Sequence, residues 1–157
     1  MKNNGRIFIS SLGCAKNLVD SEVMLGFLNG SGFQITSDAN SAEIIIVNTC
    51  CFIEDARKEA LGEIFRLAKL KKTGRCRKLI VAGCLVNRYS KKLAEQIPEA
   101  DAFLDTKNLD RIIELCGGKS ENRIIESPEK KSFLYGDNTP RIRATLPHTA
   151  YVKISEG

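Results

Sequence analysis

The sequence predicts an α/β fold, a doubly wound and mostly parallel five-stranded sheet with helices on both faces. Short apolar runs rich in β-branched residues alternate with longer segments of helical period, a pattern typical of βαβ units. The chain has 157 residues, of which 43% are hydrophobic, enough for one domain with a real core and an appendage. We therefore expect an open sheet of the flavodoxin-like or Rossmann-like class.

Five segments are predicted to be strands. The third is an almost unbroken run of branched apolar residues, as expected for a parallel strand buried on both faces. Predicted helices follow the first, third, fourth and fifth strands. Apolar residues recur along them at three- and four-residue steps. The predicted strands cover residues 6–10, 33–36, 43–48, 78–82 and 102–105, and the predicted helices cover about 18–28, 53–68, 90–97 and 109–116.

The domain organisation follows from where this alternation stops. Gly117 and Gly118 end the last predicted helix, as glycine does at a helix C-terminus, so we expect the α/β domain to span residues 1–118. Residues 119–147 contain three prolines among mixed charges without a period, which indicates a linker that wraps the domain. Residues 148–157 include a new strand-like run, 149–154, and are interpreted as the start of a truncated next domain.

Composition excludes several classes of protein. No apolar run approaches the roughly 20 residues that span a bilayer, so no membrane partner is expected. The polar start and the wide spacing of the six cysteines argue against a secreted disulfide scaffold and favour a reduced, cytoplasmic setting. With 24 basic and 19 acidic residues, the chain is not a dedicated nucleic-acid binder. The basic run of residues 69–78 is interpreted as a solvated helix end, with a docking patch for an acidic or RNA-bearing partner as the alternative.

Three cysteines occupy equivalent places in the predicted topology. Cys14, Cys50 and Cys84 each lie just past a predicted strand, the first, third and fourth. In the strand order 2-1-3-4-5 these strands are neighbours about 4.8 Å apart, so the three sulfurs meet at one edge within the span of an iron–sulfur cluster. Gly13 and Gly83 would let the backbone approach it closely. The helix N-termini that follow are expected to lower the thiol pKa values.

Other readings of these thiols stay open at this point. Each cysteine alone could be a small buried hydrophobe, and a shared site could hold zinc, which usually needs a fourth ligand. The only histidine, His148, lies outside the predicted domain. Cys51 is expected to pack, with substitution as a ligand as the alternative, and Cys76 and Cys116 are expected to be incidental.

At these residues the chain resembles the methylthiotransferases, radical S-adenosylmethionine enzymes that insert a methylthio group at an unactivated carbon. Residues 11–22 (SLGCAKNLVDSE) are similar to the opening signature of the RimO-type branch, which modifies an aspartate of a small-subunit ribosomal protein. The branch that acts on tRNA usually carries Gln-Met-Asn where this chain has residues 15–17, so a protein substrate is favoured over tRNA. Residues 48–53 and 82–89 resemble the second and third cysteine motifs of the family, which usually has glycine where Cys51 stands.

The resemblance implies a division of labour between domains. It assigns Cys14, Cys50 and Cys84 as the ligands of an auxiliary 4Fe-4S cluster with one open iron. Residues 147–157 resemble the segment that leads into the family's CxxxCxxC motif, so the full-length enzyme is expected to hold a second 4Fe-4S cluster and S-adenosylmethionine. The chain alone is expected to bind a cluster, to contain no catalytic residue of its own and to be inactive.

Two rival functions follow from the residues alone. A flavodoxin-like module without catalysis could bind phosphate or flavin at the first strand-to-helix loop, although no glycine-rich phosphate motif is present and the chain has three tyrosines and no tryptophan to stack a flavin. A thiol redox or zinc module would be expected to show paired Cys-x-x-Cys spacing, which the sequence lacks.

Overall fold

The computed structural model describes residues 4–118, 123–125 and 133–154. Its centre is one sheet in which every described pairing is parallel and the strand order is β2-β1-β3-β4-β5-β6. The doubly wound fold and the order of the five predicted strands are confirmed. The strands are β1 (Arg6–Ser11), β2 (Gln34–Ile35), β3 (Ile44–Thr49), β4 (Lys78–Gly83), β5 (Ala102–Leu104) and β6 (Ile124–Ile125).

Within the described residues, the sheet has one strand more than the five predicted. β6 lies within the residues interpreted as a linker and is only two residues long, too short for a readable period. Its place depends on Arg123, whose backbone oxygen accepts from the Phe103 amide at 2.8 Å. The Arg123 guanidinium also donates to the carbonyl oxygens of Ala94 and Ile97 at 2.9 and 2.8 Å. These carbonyls lie at the end of a helix, where backbone acceptors lack intrahelical partners.

Helices cover both faces of the sheet. α1 (Ala15–Gly30) and α5 (Ile112–Cys116) pack on one face, and α2 (Glu54–Ala68) and α4 (Cys84–Gln96) pack on the other. A short α3 (Leu70–Thr73) extends α2. α4 begins at Cys84 and not near residue 90 as predicted, because the buried Leu85 and Val86 already belong to its sheet-facing stripe. No helix in residues 4–118, 123–125 and 133–154 has both the length and the apolar character needed to cross a membrane.

Residues 133–154, hereafter the strap, lie along α1. The Ile142 amide donates to the Glu22 carbonyl oxygen at 3.0 Å. At Gly26 the strap backbone is so close that a Cβ atom would be 2.4 Å from the carbonyl carbon of Pro140. The strand-like run 149–154 forms no strand in its described residues, because a strand needs a neighbour for its backbone hydrogen bonds.

Two fully buried carboxylates of α1 bind the strap. The Glu22 side chain accepts from Arg141 Nε and from the Ala144 amide, both at 2.7 Å. Asp20 accepts from Lys153 at 3.1 Å and from the Tyr135 hydroxyl. Both carboxylates have no exposed side-chain surface, and a buried charge is tolerated when it is paired and hydrogen-bonded. The strap is therefore held to the domain by specific polar contacts.

The basic run lies at the opposite, amino edge of the sheet from the cysteines. Lys69, Lys72, Arg75 and Arg77 are exposed, and Lys71 forms an ion pair with Asp101 at 2.6 Å. Both interpretations of this run stay predictions.

Candidate metal centre

Cys14, Cys50 and Cys84 lie at the carboxyl edge of the sheet. Thr49 pairs with Gly83 in the β3–β4 register, so Cys50 and Cys84 leave adjacent strands at the same level. The Leu12 amide donates to the Asn48 carbonyl oxygen at 3.0 Å, which extends the β1–β3 pairing to within two residues of Cys14. The structure thus places the three cysteines at three consecutive strand ends, as the sequence predicted.

Two glycines allow the close contacts at this edge. Gly13 has a φ of +87°, and a Cβ atom there would be 2.3 Å from Cys50 Cβ and 2.8 Å from its Sγ. Gly83 has a φ of +98°, and a Cβ atom there would be 2.5 Å from both the Asn48 Oδ1 and the Thr49 carbonyl oxygen. A side chain at either position would also adopt a strained backbone conformation. The loop that carries Cys14 therefore touches Cys50 directly.

Three helices begin at this edge without a side-chain cap. α1, α2 and α4 have Cys14, Ile53 and Gly83 at their N-cap positions, and none of these residues makes a capping hydrogen bond through its side chain. The first amides of a helix lack intrahelical acceptors, and the helix dipole places positive potential there. The edge is therefore suited to an anionic group, such as a cluster held by thiolates.

A buried polar network fixes the loops of the site, and sequence reasoning missed it. Asn17 Nδ2 donates to the Leu12 carbonyl oxygen at 2.7 Å, and Asn48 Nδ2 donates to the Asn17 carbonyl oxygen and to Ser21 Oγ, both at 2.9 Å. Ser21 Oγ in turn donates to Ser11 Oγ at 2.8 Å. Two features of the sequence could have indicated this network. Asn17 and Ser21 are four residues apart and so share one face of a helix, and Asn48 is a polar residue in an otherwise apolar strand.

Burial raises the pKa of the Cys84 thiol above its ordinary value, and the neighbouring Cys51, Cys50 and Cys14 thiolates raise it further, whereas the Lys16 ammonium opposes this shift. The expected lowering by the helix N-terminus is thus wrong for Cys84. Desolvation disfavours the charged form of a buried thiol, and like charges nearby do the same. Both effects favour the neutral thiol at Cys84.

Cys51 lies beside the three predicted ligands. It is half-buried and packs against the α2–α4 face of the sheet. Burial and the Cys50 thiolate raise its pKa, while the positive charge of Arg88 lowers it. The Arg88 guanidinium also lies 5.4 Å from the centre of the Tyr89 ring, which restricts its position.

A shallow cavity opens next to Cys14. It is lined by Ser11, Gly13, Cys14, Leu18 and the strap residue Tyr151, among others.

Within the described residues, no three histidine, cysteine or acidic side chains are arranged to hold a single metal ion. Thiolates of an iron–sulfur cluster bind different iron atoms and need not converge on one point, and the three-cysteine assignment stays a prediction.

The six free thiols should differ strongly in reactivity. Cys14 is exposed, whereas Cys116 is buried and its burial raises the pKa to about 12. Because the thiolate is the nucleophile, we expect alkylation of Cys116 by iodoacetamide at pH 8 to be about a thousandfold slower than that of Cys14. Mass spectrometry of peptides after timed quenching measures both rates. In concentrated urea the two rates should converge, and equal rates in the native protein would contradict the buried position of Cys116.

The fold and this edge define a class of protein, a doubly wound α/β domain with a thiol-rich site at its topological switch point. The family described as "Uncharacterized protein family UPF0004" matches residues 6–105, and the chain belongs to this family. The predicted resemblance to the N-terminal domain of methylthiotransferases is confirmed.

Three relatives illustrate the similarity. The chain is 48% identical over 147 residues to the ribosomal protein uS12 methylthiotransferase RimO of Solibacter usitatus, a match that covers 94% of this chain and 31% of the relative. The proteins of the same name from Desulforamulus reducens and Clostridioides difficile are 46% and 44% identical over 96% and 97% of this chain, and 34% of each relative is covered. The chain thus spans about a third of the length of the curated relatives it matches.

Proposed function

We propose that this chain is the cluster-binding domain of a methylthiotransferase that adds a methylthio group to an aspartate of the small-subunit ribosomal protein uS12. Support comes from relatives that bear this activity in their names and align with nearly the whole chain. The names specify a protein substrate, which favours the RimO-type branch over the tRNA branch. A reaction on a ribosomal protein also favours the cytoplasm as its location.

We further propose that Cys14, Cys50 and Cys84 bind the auxiliary 4Fe-4S cluster. The observation that carries this proposal is the contact of the Cys14 loop with Cys50 through Gly13, beside the in-register ends of β3 and β4. Thiolates are the usual ligands of such clusters, and the three uncapped helix N-termini favour an anionic group. Bound by three thiolates, the cluster would supply an open iron at which a sulfur-bearing ligand can bind.

The residues around the thiols have separate roles in this proposal. Asn17 and Asn48 hold the Cys14 loop and the end of β3 against α1 through their hydrogen bonds. Burial raises the pKa of Cys84, and the Lys16 ammonium, which forms a 3.0 Å ion pair with Asp20, opposes that rise and so favours the thiolate that iron requires. Gly13 leaves room for the Cys50 side chain, and Gly83 leaves room for the end of β3, which a Cβ atom at either position would obstruct.

Catalysis would need the rest of the enzyme. In this proposal the other two thirds of such a protein would bind a second 4Fe-4S cluster and S-adenosylmethionine, and radical formation is the chemistry that these groups would supply. We therefore expect residues 1–157 alone to bind the auxiliary cluster and to transfer no methylthio group.

Anaerobic reconstitution with iron and sulfide tests the ligand set. We expect the wild-type chain to bind about four irons with a broad visible absorption band. Cys14→Ala, Cys50→Ala and Cys84→Ala should each lose most of this iron. Cys76→Ala and Cys116→Ala are the matched controls, because both thiols are buried away from the edge, and both variants should load like the wild type.

Circular dichroism of every variant separates a lost ligand from a lost fold. A folded wild-type chain that binds zinc or no metal would contradict the cluster assignment. Retention of the full iron content by any one of the three edge variants would remove that cysteine from the ligand set.

A further inference from the structure

Asp20 joins the strap to the start of α1. Its side chain has no exposed surface. Its carboxylate accepts from Lys16 at 3.0 Å and from Lys153 at 3.1 Å, and it also accepts from the Tyr135 hydroxyl. Lys16 belongs to the first turn of α1, two residues after Cys14, whereas Tyr135 and Lys153 belong to the strap. One buried carboxylate therefore connects the strap to the beginning of the helix that has Cys14 at its N-cap.

The position of Lys16 depends on this carboxylate. The positive end of the helix dipole disfavours a lysine in the first turn of a helix, and the first turn of α1 contains no acidic residue that would offset this charge. The ion pair with Asp20 joins two residues four apart on one face of the helix. The Lys153 side chain is only 7% exposed, and a buried charge needs a partner. Removal of the Asp20 charge would thus take a partner from both lysines.

The strap meets the Cys14 loop at a second point. Tyr151, two residues before Lys153, lines the cavity beside Cys14. Tyr151 is 44% exposed and therefore forms an outer wall between this cavity and solvent. Because a single residue separates Tyr151 from Lys153, the contact of Lys153 with Asp20 restricts where Tyr151 lies.

The other side of the Cys14 loop is held by the sheet. Asn17 Nδ2 donates to the carbonyl oxygens of Leu12 and Asn48 at 2.7 and 3.2 Å, which ties the loop to β3. Cys50 and Cys84 follow the paired strands β3 and β4 directly, so the sheet sets their positions. The strap is therefore expected to affect Cys14 more than it affects the other two cysteines.

From these contacts we propose that Asp20 is a positioning residue that couples the strap to the Cys14 end of the candidate metal centre. The inference rests on the function proposed above, in which Cys14 is a cluster ligand. While the strap is docked, Asp20 holds Lys16 and Lys153, and Tyr151 stands beside Cys14. When the strap leaves, this end of the site loses one wall and the first turn of α1 loosens, whereas the two strand ends keep their positions.

Lys153→Met tests the coupling in the metal-free chain. Methionine keeps much of the apolar stem of lysine and removes the charge that Asp20 binds. Amide hydrogen exchange, read by mass spectrometry, should become at least about fivefold faster both in the strap and in residues 11–18. Exchange in the central strands β3 and β4 should stay within about twofold of the wild-type rate. Asp20→Asn should give the same pattern with a larger change, because it also takes a partner from Lys16.

Asp101→Asn is the matched control. Asp101 also pairs with a lysine, Lys71 at 2.6 Å, and accepts from the Leu79 amide at 2.7 Å, but it lies at the amino edge of the sheet. Its substitution should speed exchange near that edge and leave the strap and residues 11–18 unchanged. If Asp20→Asn does not fold, the comparison of Lys153→Met with this control still decides the coupling.

Iron retention tests the same coupling in the loaded chain. The wild type, Lys153→Met and Asp101→Asn are reconstituted anaerobically and treated with an iron chelator, and the loss of visible absorption is followed. We expect Lys153→Met to load about four irons. It should then lose them at least about threefold faster than the wild type, because opening of the strap exposes the iron bound by Cys14. Asp101→Asn should keep the wild-type rate.

The outcomes separate this proposal from the proposed function. Faster exchange in the strap of Lys153→Met with residues 11–18 unchanged would overturn the coupling, and so would equal acceleration throughout the domain, which would indicate a loss of global stability. Iron loss at the wild-type rate would overturn the role of Asp20 at the metal centre. A wild-type chain that binds no cluster would contradict the proposed function, whereas the exchange pattern of the metal-free chain would still decide the coupling.

Discussion

Gly83→Ala is expected to destabilise the domain by about 3 kcal/mol or more. The φ of +98° and ψ of −163° at this residue belong to a backbone region that is essentially reserved for glycine. The new methyl group would also be 2.5 Å from the Thr49 carbonyl oxygen and from Asn48 Oδ1. Both atoms belong to fully buried residues of β3, so relief requires separation of the two central strands. Urea unfolding followed by circular dichroism measures the loss.

Gly62→Ala is the matched control for this substitution. Gly62 lies within α2, and a Cβ atom there meets nothing within 4 Å. Alanine at a compatible helical position stabilises by about 0.4 to 1 kcal/mol, mainly through the entropy of the unfolded chain. If Gly83→Ala had the same urea midpoint as the wild type, the β3–β4 edge would accommodate the added methyl group without loss of stability. That result would weaken the case for a rigid site.

The parts of this molecule that the sequence predicts best are those set by repeating local patterns. β3 is recognisable because its run of branched apolar residues is typical of a parallel strand buried on both faces. In the structure all six of its residues are buried. Once the strands are ordered, the placement of Cys14, Cys50 and Cys84 at one edge of the sheet follows from topology. No distance or side-chain contact is needed for that step, which explains why this placement could be predicted together with the fold, whereas the role of the three cysteines as ligands stays a prediction.

The parts that escaped prediction depend on pairings between distant residues. Arg123 fixes β6 by donating to carbonyl oxygens at the end of α4. The sequence around Arg123 does not indicate these hydrogen bonds. Likewise, the sequence around Asp20 and Glu22 does not show that these two acids of α1 are buried. Their partners lie more than a hundred residues away. The direction of the Cys84 pKa shift was misjudged for a related reason, because burial, the largest cause of the rise, depends on the packed structure.

Glu22→Gln is expected to cost about 3 kcal/mol, because removal of one partner leaves a buried ion pair uncompensated. The carboxylate has no exposed surface and accepts from Arg141 Nε and the Ala144 amide, both at 2.7 Å. A glutamine side chain has one acceptor oxygen, so at least one of these donors loses its partner. Urea unfolding measures the total loss, and amide hydrogen exchange reports whether the strap opens before the sheet.

Glu54→Gln provides the comparison for a surface charge. Glu54 is exposed and lies 3.5 Å from Arg57, and pairs of this kind contribute about 0 to 1 kcal/mol.

In the double variant Glu22→Gln with Arg141→Gln, two neutral amides can hydrogen-bond to each other, so we expect recovery of about half of the single-variant loss. Strictly additive losses would show that Glu22 and Arg141 act independently. If Glu22→Gln were as mild as Glu54→Gln, the strap would be held by its backbone and apolar contacts, and the buried carboxylates of α1 would not set its position.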